Sequence, residues 1–154
     1  NKRLSRSNYP KKGTFKIADP LTSEAIVPEN DANFFTHSAA FNVHTSDILD
    51  FANPTDIDVK IMHFWCDDLL PVLSVDAKTG RVETEKASAM TVRVDDNYIF
   101  ENVKEALSLP GEWYLDRTEE KLYYIPETGD RVENFVLYAG ISEKFMNIII
   151  ILKK

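Results

Sequence analysis

The sequence predicts an all-β protein, a sandwich or partly open barrel of short antiparallel strands with one or two short helices. Three observations carry this. Short runs rich in β-branched and aromatic residues recur along the chain, separated by turn residues at frequent intervals. Two pairs of these runs face each other across short polar joints, as hairpins do. Helical spacing is confined to a few brief segments.

The elements follow in order. "TFKI" at 14 to 17 is short and β-branched. "DVKIMHFW" at 58 to 65 places Val59, Ile61, His63 and Trp65 on one face and Lys60, Met62 and Phe64 on the other. "PVLSVD" at 71 to 76 and "RVETE" at 81 to 85 flank Ala77-Lys78-Thr79-Gly80, whose glycine suits a positive φ in a hairpin joint. "MTVRV" at 90 to 94 alternates again. "EWYLD" and "KLYYI" form a second hairpin, and "NFVLYA" at 134 to 139 follows a Pro126-Glu127-Thr128-Gly129 turn. Helices are expected at 101 to 109, where Val103, Ala106 and Leu107 keep helical spacing before Pro110, and as short turns at 29 to 37 and 45 to 52. Thr45 or Ser46 would cap the last of these.

In "PGEWYLDRTEEKLYYIP", at 110 to 126, alternation divides the aromatics between two faces. A sugar platform prefers several coplanar rings on one exposed side. Trp113 is therefore expected in the core, while Tyr114 and Tyr123 stay open to either reading.

At 154 residues the chain is most simply one domain, long enough to bury a core without metal or disulfide staples. Lys plus Arg is 18 and Asp plus Glu is 25, so the formal charge is −7 and a polyanion is repelled on average. Lys2-Arg3, Arg6 and Lys11-Lys12 form the one basic cluster, read as a solvated N-terminal segment rather than a nucleic-acid arm. The single cysteine, Cys66, excludes an intrachain disulfide and leaves the compartment open. The run "FMNIIIIL" at 145 to 152 is far short of the roughly 20 residues a membrane helix needs. Neither nucleic acid nor membrane is an expected partner. A chain starting at Asn1 reads as an excised fragment or a processed product.

Residues Phe100-Glu101-Asn102, the segment Pro110 to Asp116 and the segment Leu122 to Pro126 stand in an order that resembles bacterial proteins built on a right-handed parallel β-helix, many of them glycoside hydrolases. "MHFWCDDLLPVLSVDAKTGRV" resembles the strand, tryptophan and hairpin of the same family, and "NKRLSRSNYP" is a looser match. One departure is Glu120, where the family has glycine before Leu-Tyr-Tyr. The resemblance implies an accessory β-sandwich over 1–140, with 141–154 an apolar strand leading toward β-helix coils. It implies a secreted, cell-surface or periplasmic bacterial setting, and a segment without catalysis, because the relatives' catalytic carboxylates lie on later coils.

No catalytic residue emerges from the residues themselves. Asp67-Asp68, Asp95-Asp96 and Glu119-Glu120 are adjacent pairs in loops, where side chains diverge and solvated charge is the simpler reading. His37, His44 and His63 lack metal spacing, and Cys66 has no CxxC partner, so neither a metal site nor a cofactor is expected. His63 is read as a core or half-buried histidine, and a Cys66–His63 nucleophile pair lacks an orienting third group. Candidate carbohydrate contacts are Tyr114, Tyr123 and Trp65. Two functions stand: a non-catalytic module that packs on its parent chain's β-helix and shapes a substrate groove, or an independent carbohydrate-binding module. The apolar tail, Phe145 to Leu152, is expected to drive self-association.

Overall fold

A computed structural model describes residues 3–27, 35–130 and 149–152. It is an all-β fold in two parts. Among the described residues eleven strands run in chain order: β1 (Ser5–Arg6), β2 (Asn8–Tyr9), β3 (Phe15–Asp19), β4 (Ala40–Val43), β5 (Asp58–Met62), β6 (Asp67–Asp76), β7 (Arg81–Thr84), β8 (Asn97–Glu101), β9 (Glu112–Asp116), β10 (Lys121–Tyr124) and β11 (Ile149–Leu152).

The larger sheet has the order β2-β8-β3-β4-β7-β6-β5, and β5 pairs again with β8. That second pairing closes β8, β3, β4, β7, β6 and β5 into an antiparallel barrel. Closure removes the free edges that an open sheet would present. β2 and β3 lie end to end along one edge of β8, with Tyr9 opposite Phe100 and Phe15 opposite Tyr98.

Period-two alternation fills the barrel. Val59 and Ile61 of β5, Phe41 of β4, Val82 of β7 and Tyr98 and Phe100 of β8 all point inward and are fully buried. Phe100 meets Phe51 and Tyr98 edge-on at 5.4 and 5.3 Å. The Tyr98 hydroxyl, deep in this apolar interior, donates to Asp47 at 3.0 Å. The β6–β7 hairpin forms with Asp76 opposite Arg81, and Gly80 has φ +80. A Cβ at Gly80 would sit 2.2 Å from the carbonyl oxygen of Val43, so glycine there serves both the turn and the contact with β4.

The smaller sheet has the order β1-β9-β10-β11. Its β9–β10 hairpin is antiparallel, while β1 joins β9 and β11 joins β10 in parallel. Glu120, at the position where the resemblance has glycine, adopts φ 53, so the left-handed turn is kept without the residue that best tolerates it.

Several expectations are corrected. No helix longer than a 3₁₀ turn occurs among the described residues, and the segment 101 to 109 is a chain of turns. Asn102 enters it at φ 60, and only the i→i+3 bonds Ala106 to Val103 and Leu107 to Lys104 form. Glu112 takes the Ser108 and Leu109 N–H groups that would continue a helix. Val103, Ala106 and Leu107 are nevertheless buried as their spacing predicts. Residues 91 to 94 are irregular rather than a strand, because Asp96 accepts the Arg93 N–H and turns the chain. The strand expected to reach Trp65 ends at Met62. Among the described residues three 3₁₀ turns occur, at Thr22–Glu24, Thr45–Asp47 and Pro54–Asp56, and the second has His44 rather than Thr45 or Ser46 at its cap position. The strand at 134 to 139 and most of the turn at 29 to 37 lie outside the described residues.

Candidate functional site

Two polar assemblies stand out, one in the seam between barrel and small sheet, the other behind the β5–β6 hairpin tip.

The seam begins with β9. Its inward face carries Glu112, Tyr114 and Asp116, all buried, while Trp113 and Leu115 are half-buried on the other side. Trp113 therefore does not enter the core as expected; the Arg6 guanidinium covers its ring at 5.4 Å. A buried carboxylate needs partners, and each of these has them. Lys11 Nζ binds both oxygens of Glu112 at 2.6 and 2.7 Å. Asp116 accepts the Glu119 N–H at 2.9 Å and lies 3.5 Å from Lys104 Nζ. From the barrel side, Asp58 is held by Arg6 at 2.6 Å and by Arg117 at 2.9 and 3.0 Å. Asp56 accepts the Tyr114 hydroxyl on one oxygen and the Arg117 N–H on the other. Arg6 and Lys11, read from sequence as solvated charge, are thus counter-ions of buried acids.

Asn102 completes the seam. It is fully buried, and its side-chain amide donates to the carbonyls of Asp56 and Leu115 while accepting the Leu115 N–H, each at 2.8 Å. It acts as a one-residue strand between the two parts of the fold.

The seam also sets the tyrosines. Burial first, then the hydrogen bond to Asp56, raises the Tyr114 phenol above its usual range. Tyr98 is raised by burial and then by the charge of Asp47. Burial, reinforced by the hydrogen bond to Asp130, pushes Tyr124 up to about 12 from an ordinary 10.0. Between those two values the unfolded chain releases this proton while the folded chain holds it. Stability therefore falls as pH rises through that window. Denaturant midpoints should drop between pH 10 and pH 12 in the parent chain, and Tyr124→Phe should flatten the drop. An unchanged slope in Tyr124→Phe would refute this assignment.

Of the expected carbohydrate contacts, Tyr114 is sealed in the seam, 1% exposed, and presents no ring to a ligand. Tyr123 is half-buried against it, centroids 5.8 Å apart, with Lys104 Nζ 5.6 Å from its own ring. Trp65 is 66% exposed on the far hairpin, so the structure does not bring the three together.

The hairpin tip is built differently. His63 N–H bonds to the Cys66 carbonyl at 2.9 Å, which leaves Phe64 and Trp65 as the two tip residues. Their rings stack with centroids 6.1 Å apart and planes 24° apart, and the Arg93 guanidinium sits 5.0 Å from the Phe64 ring centre. Behind them the His63 side chain is fully buried. Its Nε2 lies 3.1 Å from Asp68, and its Nδ1 lies 3.4 Å from Asp96 without hydrogen-bond geometry. Asp68 also accepts the Ala89 N–H at 2.8 Å. The acids of two adjacent pairs thus converge on one imidazole, a long-range meeting that loop charge alone did not reveal.

Among the described residues no group of three His, Cys, Asp or Glu side chains is arranged to hold a metal, and no helix is long and apolar enough to cross a membrane. No family model, curated protein or solved structure matches the chain.

Proposed function

We propose that this chain is a non-catalytic β module of a bacterial carbohydrate-active protein, and that it packs on a parallel β-helix and helps shape that helix's substrate groove. The observation that carries this reading is the hydrogen bonding of the small sheet, in which β1 joins β9 and β11 joins β10 in parallel. Parallel pairing is the pattern by which a β-helix adds each coil. The motifs from Phe100 to Pro126 supply the hairpin on which those parallel strands form. The seam supports the non-catalytic half. Glycoside hydrolysis needs one carboxyl that gives up a proton and one carboxylate that attacks or activates water. Here the oxygens of Asp56, Asp58 and Glu112 already accept bonds from within the fold.

Incubating the chain with a panel of plant and mucosal polysaccharides should release no reducing sugar. Release that disappears in Asp56→Asn or Asp116→Asn would overturn the reading. The same sheet bears on self-association. The outer edge of β11 is where a second copy would add, so a chain ending at Gly140 should scatter light as a smaller species than the full chain.

A second reading, direct glycan binding, has one observation in its favour: the exposed Phe64–Trp65 pair.

A further inference from the structure

Behind the β5–β6 tip, the His63 side chain has no exposed surface and takes no part in the seam. Its Nε2 lies 3.1 Å from Asp68 Oδ2 in hydrogen-bond geometry. Its Nδ1 stops 3.4 Å from Asp96 Oδ2 and makes no hydrogen bond, which is uncommon for a buried polar atom. Both of those oxygens already hold backbone. Asp68 Oδ2 accepts the Ala89 N–H at 2.8 Å, and Asp96 Oδ2 accepts the Arg93 N–H at 2.9 Å. The ring thus stands between two loops, bonded to the acid that holds one and just short of the acid that holds the other.

Protonation sets how many of these ties the ring can make. A neutral imidazole carries one N–H, so with Asp68 satisfied its other nitrogen turns a lone pair toward the Asp96 carboxylate, acceptor against acceptor. An imidazolium carries two N–H groups and a positive charge, and it donates to both oxygens at once.

We propose that His63 is a proton-operated latch between the hairpin and its flanking loops. Taking up a proton from solvent, the ring closes the bond to Asp96 and fastens the 93–96 turn to the β5–β6 hairpin. Returning the proton leaves only the tie to Asp68. Arg93 lies 5.0 Å from the Phe64 ring centre, so movement of its turn changes the surroundings of the tip. The other charged or titratable groups on the neighbouring elements have their own places. Lys60 on β5 pairs with Asp67 at 2.8 Å, and Lys16 on β3 donates to the Asp95 carbonyl at 2.8 Å. Cys66 is exposed at the tip, and the His37 ring bonds the Ser88 carbonyl at 2.7 Å.

NMR of the backbone amides and histidine rings of the full isotope-labelled chain, from about pH 5 to about pH 8, tests the latch. Both His63 nitrogens should carry protons at the acid end and one at the basic end. The Arg93 and Asp96 amides should shift with the midpoint of the ring, by several times the shift of Leu115 in the seam. His63→Gln, which keeps a donor for Asp68, should abolish the Arg93 shift with circular dichroism unchanged. Asp96→Asn should reduce it severalfold while the ring goes on titrating. His37→Gln and Cys66→Ser should leave it intact. A ring that holds one protonation state throughout, or an Arg93 amide that stays in place while the ring titrates, would overturn the latch. Both are read on the parent chain, whether or not a variant folds. An Arg93 shift that survives His63→Gln, or disappears in His37→Gln or Cys66→Ser, would overturn it as well.

Discussion

Asp56→Ala should lower the free energy of unfolding by about 3–5 kcal/mol, a large fraction of the stability of a domain this size. Asp56 is 1% exposed and accepts the Tyr114 hydroxyl and the Arg117 N–H. Alanine leaves both donors facing a void from which water is excluded, and a buried donor without an acceptor forfeits its full desolvation energy. Urea titration monitored by circular dichroism checks this. The midpoint should fall while the slope is kept, which separates lost stability from a changed unfolded state. A midpoint within error of the parent chain would show that the seam is not what joins barrel and small sheet.

Asn102→Asp should be equally severe, although it changes one amide nitrogen to oxygen. The Asn102 amide donates to two backbone carbonyls, of Asp56 and Leu115. A carboxylate in its place points an acceptor at both, in a position with no exposed surface. Unpaired buried charge of this kind costs about 3–5 kcal/mol. Asparagine also tolerates the left-handed backbone seen here at φ 60, and aspartate tolerates it similarly, so the comparison isolates hydrogen-bond polarity from backbone strain. The urea midpoint of the variant should fall well below that of the parent chain, because the two carbonyls lose their donor while the Leu115 N–H keeps its acceptor. An unchanged midpoint would contradict the bridging role.

The two hairpins were legible because their signals are local: alternation on either side of a short polar joint, with Gly80 at a positive φ. β8 was not. Asn97 to Glu101 alternates well but runs straight into the helical spacing of Val103, Ala106 and Leu107, and the two periods blur into one segment. The buried face of β9 was also misread for a physical reason. Glu112 and Asp116 share a face with Tyr114, and acids argue for solvent unless their counter-ions are known. Those counter-ions are Lys11, 101 residues away, and Lys104, 12 residues away. Only the closed barrel brings them together. Trp65 was read on the His63 face of a longer strand. It is exposed because the strand stops at Met62 and the chain reverses at Phe64 and Trp65.

The seam and the tip divide the molecule's polar chemistry into two kinds. Seam acids are buried, compensated and remote from solvent, as groups that hold a structure are. Tip aromatics are exposed, and the carboxylates behind them accept N–H groups from two flanking loops. The division has a thermodynamic signature, because residues kept for catalysis are often held against stability, and removing them makes the protein more stable. The most direct measurement is a double-mutant cycle on Asp56→Asn and Tyr114→Phe by denaturant unfolding. A structural seam requires both single variants to be less stable than the parent, with a coupling of about 1–3 kcal/mol between them. A gain in stability from either substitution, or additive effects with no coupling, would contradict it.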